Sequence, residues 1–235
     1  DNGYRQIAAL EHRFQDINID AVYSSDLFRT MTTARAVYAP KGLELHTDPG
    51  LREVHMGLWE DRPWGEVART DGERLALFNA TDDAWQAPEG ESYAQVRRRV
   101  GDSILRLAAA HPGQTIALVS HGTAIRTALS RFQGLDQEAR RRAGHSDNTA
   151  VSCLEVEGEE VTVLFENDNS HLPEEISTLA RQRWWKAREG GVADANLWFQ
   201  PLDMERNCCV YLEARREAWV NIHGPDLPFD REGFL

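Results

Sequence analysis

Lysine is almost missing from this 235-residue chain: of its 26 basic residues only Lys41 and Lys186 are lysines, and the other 24 are arginines. Arginine is the better fork for oxyanions, but a bias this general is read more simply as genome composition. Cysteine is scarce as well. Cys153 and the adjacent pair Cys208–Cys209 make neither a disulfide framework nor a zinc-ligand spacing, so a reducing, cytoplasmic setting is the expectation. No apolar run approaches the roughly 20 residues of a membrane helix, and no membrane partner is expected. Positive charge is in deficit: the formal net charge is −12. That argues against a general nucleic-acid binder, because phosphate backbones repel an acidic surface. From Val156 onward 16 acidic residues face 8 basic ones, a net of −8, which leaves −4 for the first 155. Repeats and low-complexity segments are not seen.

What remains is ordinary globular composition, 41% hydrophobic and 27% charged, enough to bury a core. Apolar residues at Ile7, Ala8, Leu10 and Phe14 predict a helix over Tyr4–Phe14. Ile17–Tyr23 reads as a strand, and Ser24-Ser25-Asp26 caps a helix from Leu27 to Tyr38. Leu43–Thr47 alternates like a short strand. A loop-rich stretch from Asp48 to Gly90 holds Trp59, Trp64 and Trp85, and a long helix follows over Tyr93–Ala110. Thr115–Ser120 is nearly continuous in apolar residues, as expected of a strand buried on both faces. It leads into His121-Gly122-Thr123 and a helix over Ala124–Phe132. Ala150–Val156 and Val161–Glu166 predict a hairpin around Gly158. Strands alternating with helices imply an α/β domain with a largely parallel sheet.

Two segments sit where a strand becomes a helix, the usual ligand end of an open α/β sheet. In Ser24-Ser25-Asp26-Leu27-Phe28-Arg29-Thr30, free backbone N–H groups and Arg29 suit an anion; a well-capped helix with a solvated arginine is the plainer alternative. In Ser120-His121-Gly122-Thr123, a histidine meets the positive end of a helix, and Gly122 lets backbone approach a ligand. A third segment, Leu51–Glu60, puts Glu53 in an aromatic-rich loop where a partly desolvated carboxyl could serve as an acid, although loop carboxylates are more often simply solvated. His55 is a neighbour without a role. Arg97-Arg98-Arg99 and Arg140-Arg141-Arg142 are read as exposed helix faces.

Together these segments resemble the histidine phosphatase superfamily, the phosphoglycerate-mutase-like fold, over residues 1–170. Asp1–Gln6 is similar to the family's T-x-x-G-x-x-Q, and Ser24–Thr30 with Thr33-Ala34 to S-S-x-L-x-R-x-x-x-T-A. Leu51-Arg52-Glu53 with Gly57–Glu60 resembles L-x-E-x-x-x-G-x-W-E, Pro88–Ser92 resembles P-x-G-E-S, and Val119–Gly122 matches V-S-H-G. The resemblance implies a three-layer α/β fold and hydrolysis of a phosphomonoester through a phosphohistidine. Arg29 and His121 would hold phosphate, with Gly122 and Thr123 beside it, and Glu53 would donate the proton. It implies no metal or cofactor and a small phosphorylated metabolite as partner; oligomeric state is not readable.

The family's opening strand and Arg-His-Gly, whose histidine is the nucleophile, are not found in the sequence. Asp1 aligns just before the family's first helix, so the expectation is a truncation of a few tens of residues, with the first strand missing and this chain by itself inactive. Phosphoglycerate mutase-type transfer and a non-catalytic phosphoester-binding pseudoenzyme are the alternatives. Beyond 170 a helical linker, 171–195, is expected. Residues 196–235 are faintly similar to the first strand and helix of an N-acetyltransferase domain, or form a mainly helical C-terminal extension.

Overall fold

The computed structural model describes residues 2–142 and 145–181, all within the first of two units into which the chain divides, 1–186 and 187–235. Helix α1 (Asn2–Phe14) buries Gln6 and Leu10. Strand β1 (Ala21–Ser24) leads into α2 (Phe28–Tyr38), and β2 (Leu45–Thr47) follows. Helices α3 (Trp64–Thr70) and α4 (Gly72–Asn79) occupy the loop-rich stretch. Helix α5 (Tyr93–Ala110) opens on a reciprocal capping box between Ser92 and Gln95, which gives acceptors to two N–H donors that a helix start leaves unsatisfied. Strand β3 (Ile116–Val119) feeds α6 (Gly122–Phe132), and α7 (Gln137–Arg142) follows. A hairpin of β4 (Val151–Glu157) and β5 (Glu160–Asp168) turns through Gly158 at φ 64°, and α8 is Thr178–Arg181.

The central sheet is parallel in the order β2-β1-β3. Its period of two sorts side chains onto opposite faces. Ala117 and Val119 pack with Leu10, Val22, Ala34 and Val37 against α1 and α2. Ile116 and Leu118 face a larger cluster built from Leu51, Trp59, Trp85, Tyr93, Val96, Val100 and Ala124. Helices therefore cover both faces, the three-layer α/β arrangement expected. Strand β1 is shorter than Ile17–Tyr23 because the ladder ends at Asp20: its N–H bonds to Thr115 O at 2.8 Å and its carboxylate accepts from Thr115 N at 2.8 Å.

One expectation fails. Strand β3 is not buried on both faces; all four of its residues are only half-buried. Its ladder has one partner among the described residues, β1, and β4 likewise pairs only with β5. The hairpin is thus a separate two-stranded sheet, although Val151 packs on the same cluster as Ala117 and Val119. Two unpaired edges border one apolar cluster.

The helical linker expected over 171–195 turns helical only at Thr178. The Ile176 carbonyl accepts from Gln6 Nε2 at 2.7 Å and Asn2 Nδ2 at 3.0 Å, while Asp147 Oδ1 accepts the Thr178 N–H at 2.9 Å. Leu172 and Ile176 are buried, so this stretch is tied to α1 before it turns helical. The rest of the helical linker and the acetyltransferase-like or helical extension lie outside the described residues.

Candidate active site

Strands β1 and β3 are adjacent and parallel, so their C-terminal ends open on the same side of the sheet. Ser25 and Arg29 come from the β1–α2 junction; His121 takes the N-cap position of α6. The two segments touch directly. Arg29 Nε donates to His121 Nδ1 at 3.1 Å, and His121 Nε2 lies 3.0 Å from Ser25 Oγ. A guanidinium can only donate. Nδ1 must therefore carry no proton, and Nε2–H donates to Ser25, whose hydroxyl oxygen also accepts the Leu27 N–H. His121 is buried; burial, then the positive charges of Arg29 and Arg99, pull its pKa down to about 4, with Asp26 opposing weakly. The ring is a neutral imidazole at neutral pH, whereas a phosphate-gripping role implies an imidazolium. The difference lies in the surroundings: burial first, and then the charges of Arg29 and Arg99, keep the proton off the ring in the free protein.

Arg29 is exposed, and its terminal nitrogens bond to nothing among the described residues. They are donors open to an anion. Arg52 is committed elsewhere, gripping both oxygens of Asp26 at 2.6 and 2.5 Å. The Arg52 hydrogen bond holds Asp26 below the ordinary carboxylate range.

Glu53 reaches the same place from the loop after β2. Its Oε2 accepts the Thr123 N–H at 3.1 Å and its Oε1 accepts the Ala124 N–H at 3.0 Å. The carboxyl thus caps the helix that His121 opens, using donors a helix start leaves free. Its own loop is held by close contact with residues 87–91: Leu58 N bonds to Pro88 O at 2.8 Å and Glu91 N to His55 O at 2.9 Å. Gly57, at φ 55°, and Gly90 sit back to back there, and a Cβ on Gly57 would lie 1.9 Å from Pro88 O.

Arg29, His121, Glu53 and Thr123 are therefore gathered at one end of the sheet. Gly122 is exposed, and a Cβ there would meet nothing within 4 Å, so no protein neighbour demands glycine at that position. Sequence reasoning missed two members. Ser25, buried and bonded to His121, was legible only as a helix cap, and Arg99 was read as part of an exposed helix face. It points inward instead, where its charge reaches His121. Its neighbour Glu91, in Pro88–Ser92, carried a signal that was not tied to the site. Among the described residues no cluster of histidine, cysteine or carboxylate side chains could hold a metal ion, and no helix is long and apolar enough to cross a membrane.

Known proteins resemble this chain. Residues 1–169 match the family described as histidine phosphatase superfamily (branch 1). A probable phosphoglycerate mutase GpmB of Yersinia pestis (strain Pestoides F) is 39% identical over 144 residues, covering 60% of this chain and 65% of that protein. The chain thus spans just under two thirds of the curated relatives it matches. Among solved structures, YhfR of Bacillus stearothermophilus is similar at 26% identity and TM-score 0.69, covering 73% of this chain and 85% of that one. An alpha-ribazole phosphatase from Shigella flexneri is similar at 26% identity and TM-score 0.60, covering 70% and 81%. The shared fold, the five matching segments and the family match together establish that this chain belongs to the histidine phosphatase superfamily.

Proposed function

We propose that the protein is a phosphomonoester hydrolase working through a phosphohistidine, with Arg29 and His121 gripping the phosphoryl oxygens and Glu53 moving the proton. The observation that carries this reading is the meeting of guanidinium, imidazole and carboxyl groups, from three separate stretches, at the C-terminal end of a parallel sheet. The nucleophilic imidazole is not one of the side chains gathered here; the family resemblance puts it in an Arg-His-Gly that this sequence does not contain.

In the first step the nucleophile's nitrogen forms an N–P bond as the P–O ester bond breaks, and Glu53 in its acid form gives its proton to the leaving alkoxide. In the second, Glu53 as carboxylate takes a proton from water; the new O–P bond forms, the N–P bond breaks, and inorganic phosphate leaves. Arg29 and His121 balance charge on the equatorial oxygens throughout. An incoming dianion offsets the guanidinium charges that add to burial in keeping His121 neutral, so the ring takes up a proton on Nδ1 when phosphate binds and Arg29 Nε turns from the ring to the anion. The similarity to an alpha-ribazole phosphatase supports a small phosphorylated metabolite as substrate. The relatives named phosphoglycerate mutase favour a second reading, phosphoryl transfer between phosphorylated glycerates.

The test is Glu53→Gln in the chain extended through its upstream coding sequence. Hydrolysis of alkyl phosphates should fall about 100-fold or more and that of aryl phosphates less than about 10-fold, since good leaving groups need little protonation. Equal slowing would remove Glu53 as the acid. Transfer between glycerates that outpaces phosphate release would favour the mutase reading.

A further inference from the structure

The Arg99 guanidinium spends all five of its N–H donors within the protein. Nε and Nη2 grip the two Glu91 oxygens at 2.7 Å each; Nη1 donates to Gly50 O at 3.0 Å and Arg52 O at 2.9 Å; Nη2 also reaches Glu53 O at 3.3 Å. Glu91 in turn accepts the His55 N–H at 3.0 Å. One arginine from the second turn of α5 therefore clamps three carbonyls, those of Gly50, Arg52 and Glu53, in the segment whose Glu53 carboxyl reaches α6. No donor is left for a substrate anion. This excludes direct binding and leaves orientation as what the side chain can do.

We propose that Arg99, locked by Glu91, is a positioning residue that fixes the Glu53 carboxyl against the start of α6 and so sets its reach to a leaving group. The role rests on the reading of Glu53 as the acid, but the orientation itself does not. Both side chains are about three-quarters buried, at 26% and 22% exposure. Burial alone would raise the Glu91 pKa; the Arg99 hydrogen bonds, the His55 N–H and the Arg99 charge outweigh it and keep the carboxyl below its ordinary range, so the clamp stays ionised at neutral pH. A lysine cannot replace it, because three donors on one nitrogen cannot span the three carbonyls and a bidentate carboxylate.

Two measurements separate this from general support of the fold. In the 235-residue chain, amide hydrogen exchange at Thr123 and Ala124, the two N–H groups that Glu53 caps, should speed up about 10-fold or more in Arg99→Met and Arg99→Lys, while Ala128 and Leu129 later in α6 keep their protection. Glu91→Gln, which preserves shape and loses the charge, should give the same pattern more weakly and covers the case in which Arg99→Met does not fold. In the upstream-extended chain, Arg99→Met should slow alkyl phosphates about 30-fold and aryl phosphates less than about 3-fold, and adding it to Glu53→Gln should cause no further loss on alkyl phosphates. Unchanged exchange at Thr123 and Ala124, or a uniform rise along α6, would overturn the proposal. So would equal slowing of both substrate types. If the extended wild-type chain hydrolysed neither substrate, the phosphatase reading would fail, and exchange would still decide whether Arg99 holds Glu53.

Discussion

Arg29 Nε lies 3.1 Å from Nδ1 of His121, and the donor is the guanidinium. That one contact fixes the tautomer of a buried histidine and joins two segments 92 residues apart. It also predicts what an anion would do there, since the guanidinium's terminal nitrogens remain open while its Nε holds the ring.

Replacing Arg29 by Met should weaken inorganic phosphate binding by about 10- to 100-fold, the loss of a charge-assisted contact worth roughly 1.5–3 kcal/mol. Arg29 is exposed but its Nε bonds to the buried His121 ring, so fold stability should fall by only about 0.5–1.5 kcal/mol. Calorimetric phosphate titration beside a urea melt checks both halves, and a stability loss matching the binding loss would contradict the assignment.

Acid should destabilise the domain before its carboxylates titrate. His121 binds its proton near pH 4 in the folded chain against about 6.5 unfolded, so the unfolded state takes up protons first as pH falls. The stability conferred by the neutral ring is fully present above about pH 6.5 and is lost as pH drops toward 4, by up to about 3 kcal/mol. Burial also pulls His145 and His171 down, which adds in the same direction. Urea midpoints from pH 7.5 to 4.5 measure it, and His121→Gln should flatten the slope.

Gly57→Ala should cost about 2–4 kcal/mol, because it combines a positive φ with a 1.9 Å approach to Pro88 O and the loop must move. Gly113→Ala, at φ 70° with open space around the new methyl, should cost only about 1 kcal/mol. Thermal melts of the two variants compare contact with backbone strain directly.

Asp147 is buried and accepts from Asn148 N, Thr178 N, Asn169 Nδ2 and Ser177 Oγ. Asp147→Ala should lose about 2–4 kcal/mol, since one buried and three part-buried donors then lack their partner. Proteolysis near Ile176 should accelerate in the same variant; unchanged digestion would mean the anchor lies elsewhere.

Much of this was legible in the sequence because local patterns carried it. The helix expected over Tyr93–Ala110 is α5 with those limits, and Gly158 gave the hairpin its turn. The His-Gly junction after an apolar run placed His121 at the ligand end of the sheet. What the sequence hid were relationships set by packing. Apolar residues alone cannot report how many partners a strand has, so β3 read as fully buried although one edge is unpaired. Three consecutive arginines on a helix read as a solvated face, yet helix rotation turns Arg99 toward the loop carbonyls while Arg97 pairs with Asp83 at 2.6 Å. The lowered pKa of His121 was hidden for a similar reason: it depends on burial and on two arginines distant in sequence.

The central claim is that Arg29 and His121 form a phosphoryl-binding pair. It is tested by following the His121 ring resonances by NMR while the 235-residue chain is titrated with inorganic phosphate. The account predicts a ring that stays neutral down to about pH 4 without phosphate, gains its proton near neutral pH with phosphate bound, and loses that response in Arg29→Met. A ring whose titration is unchanged by saturating phosphate would contradict it.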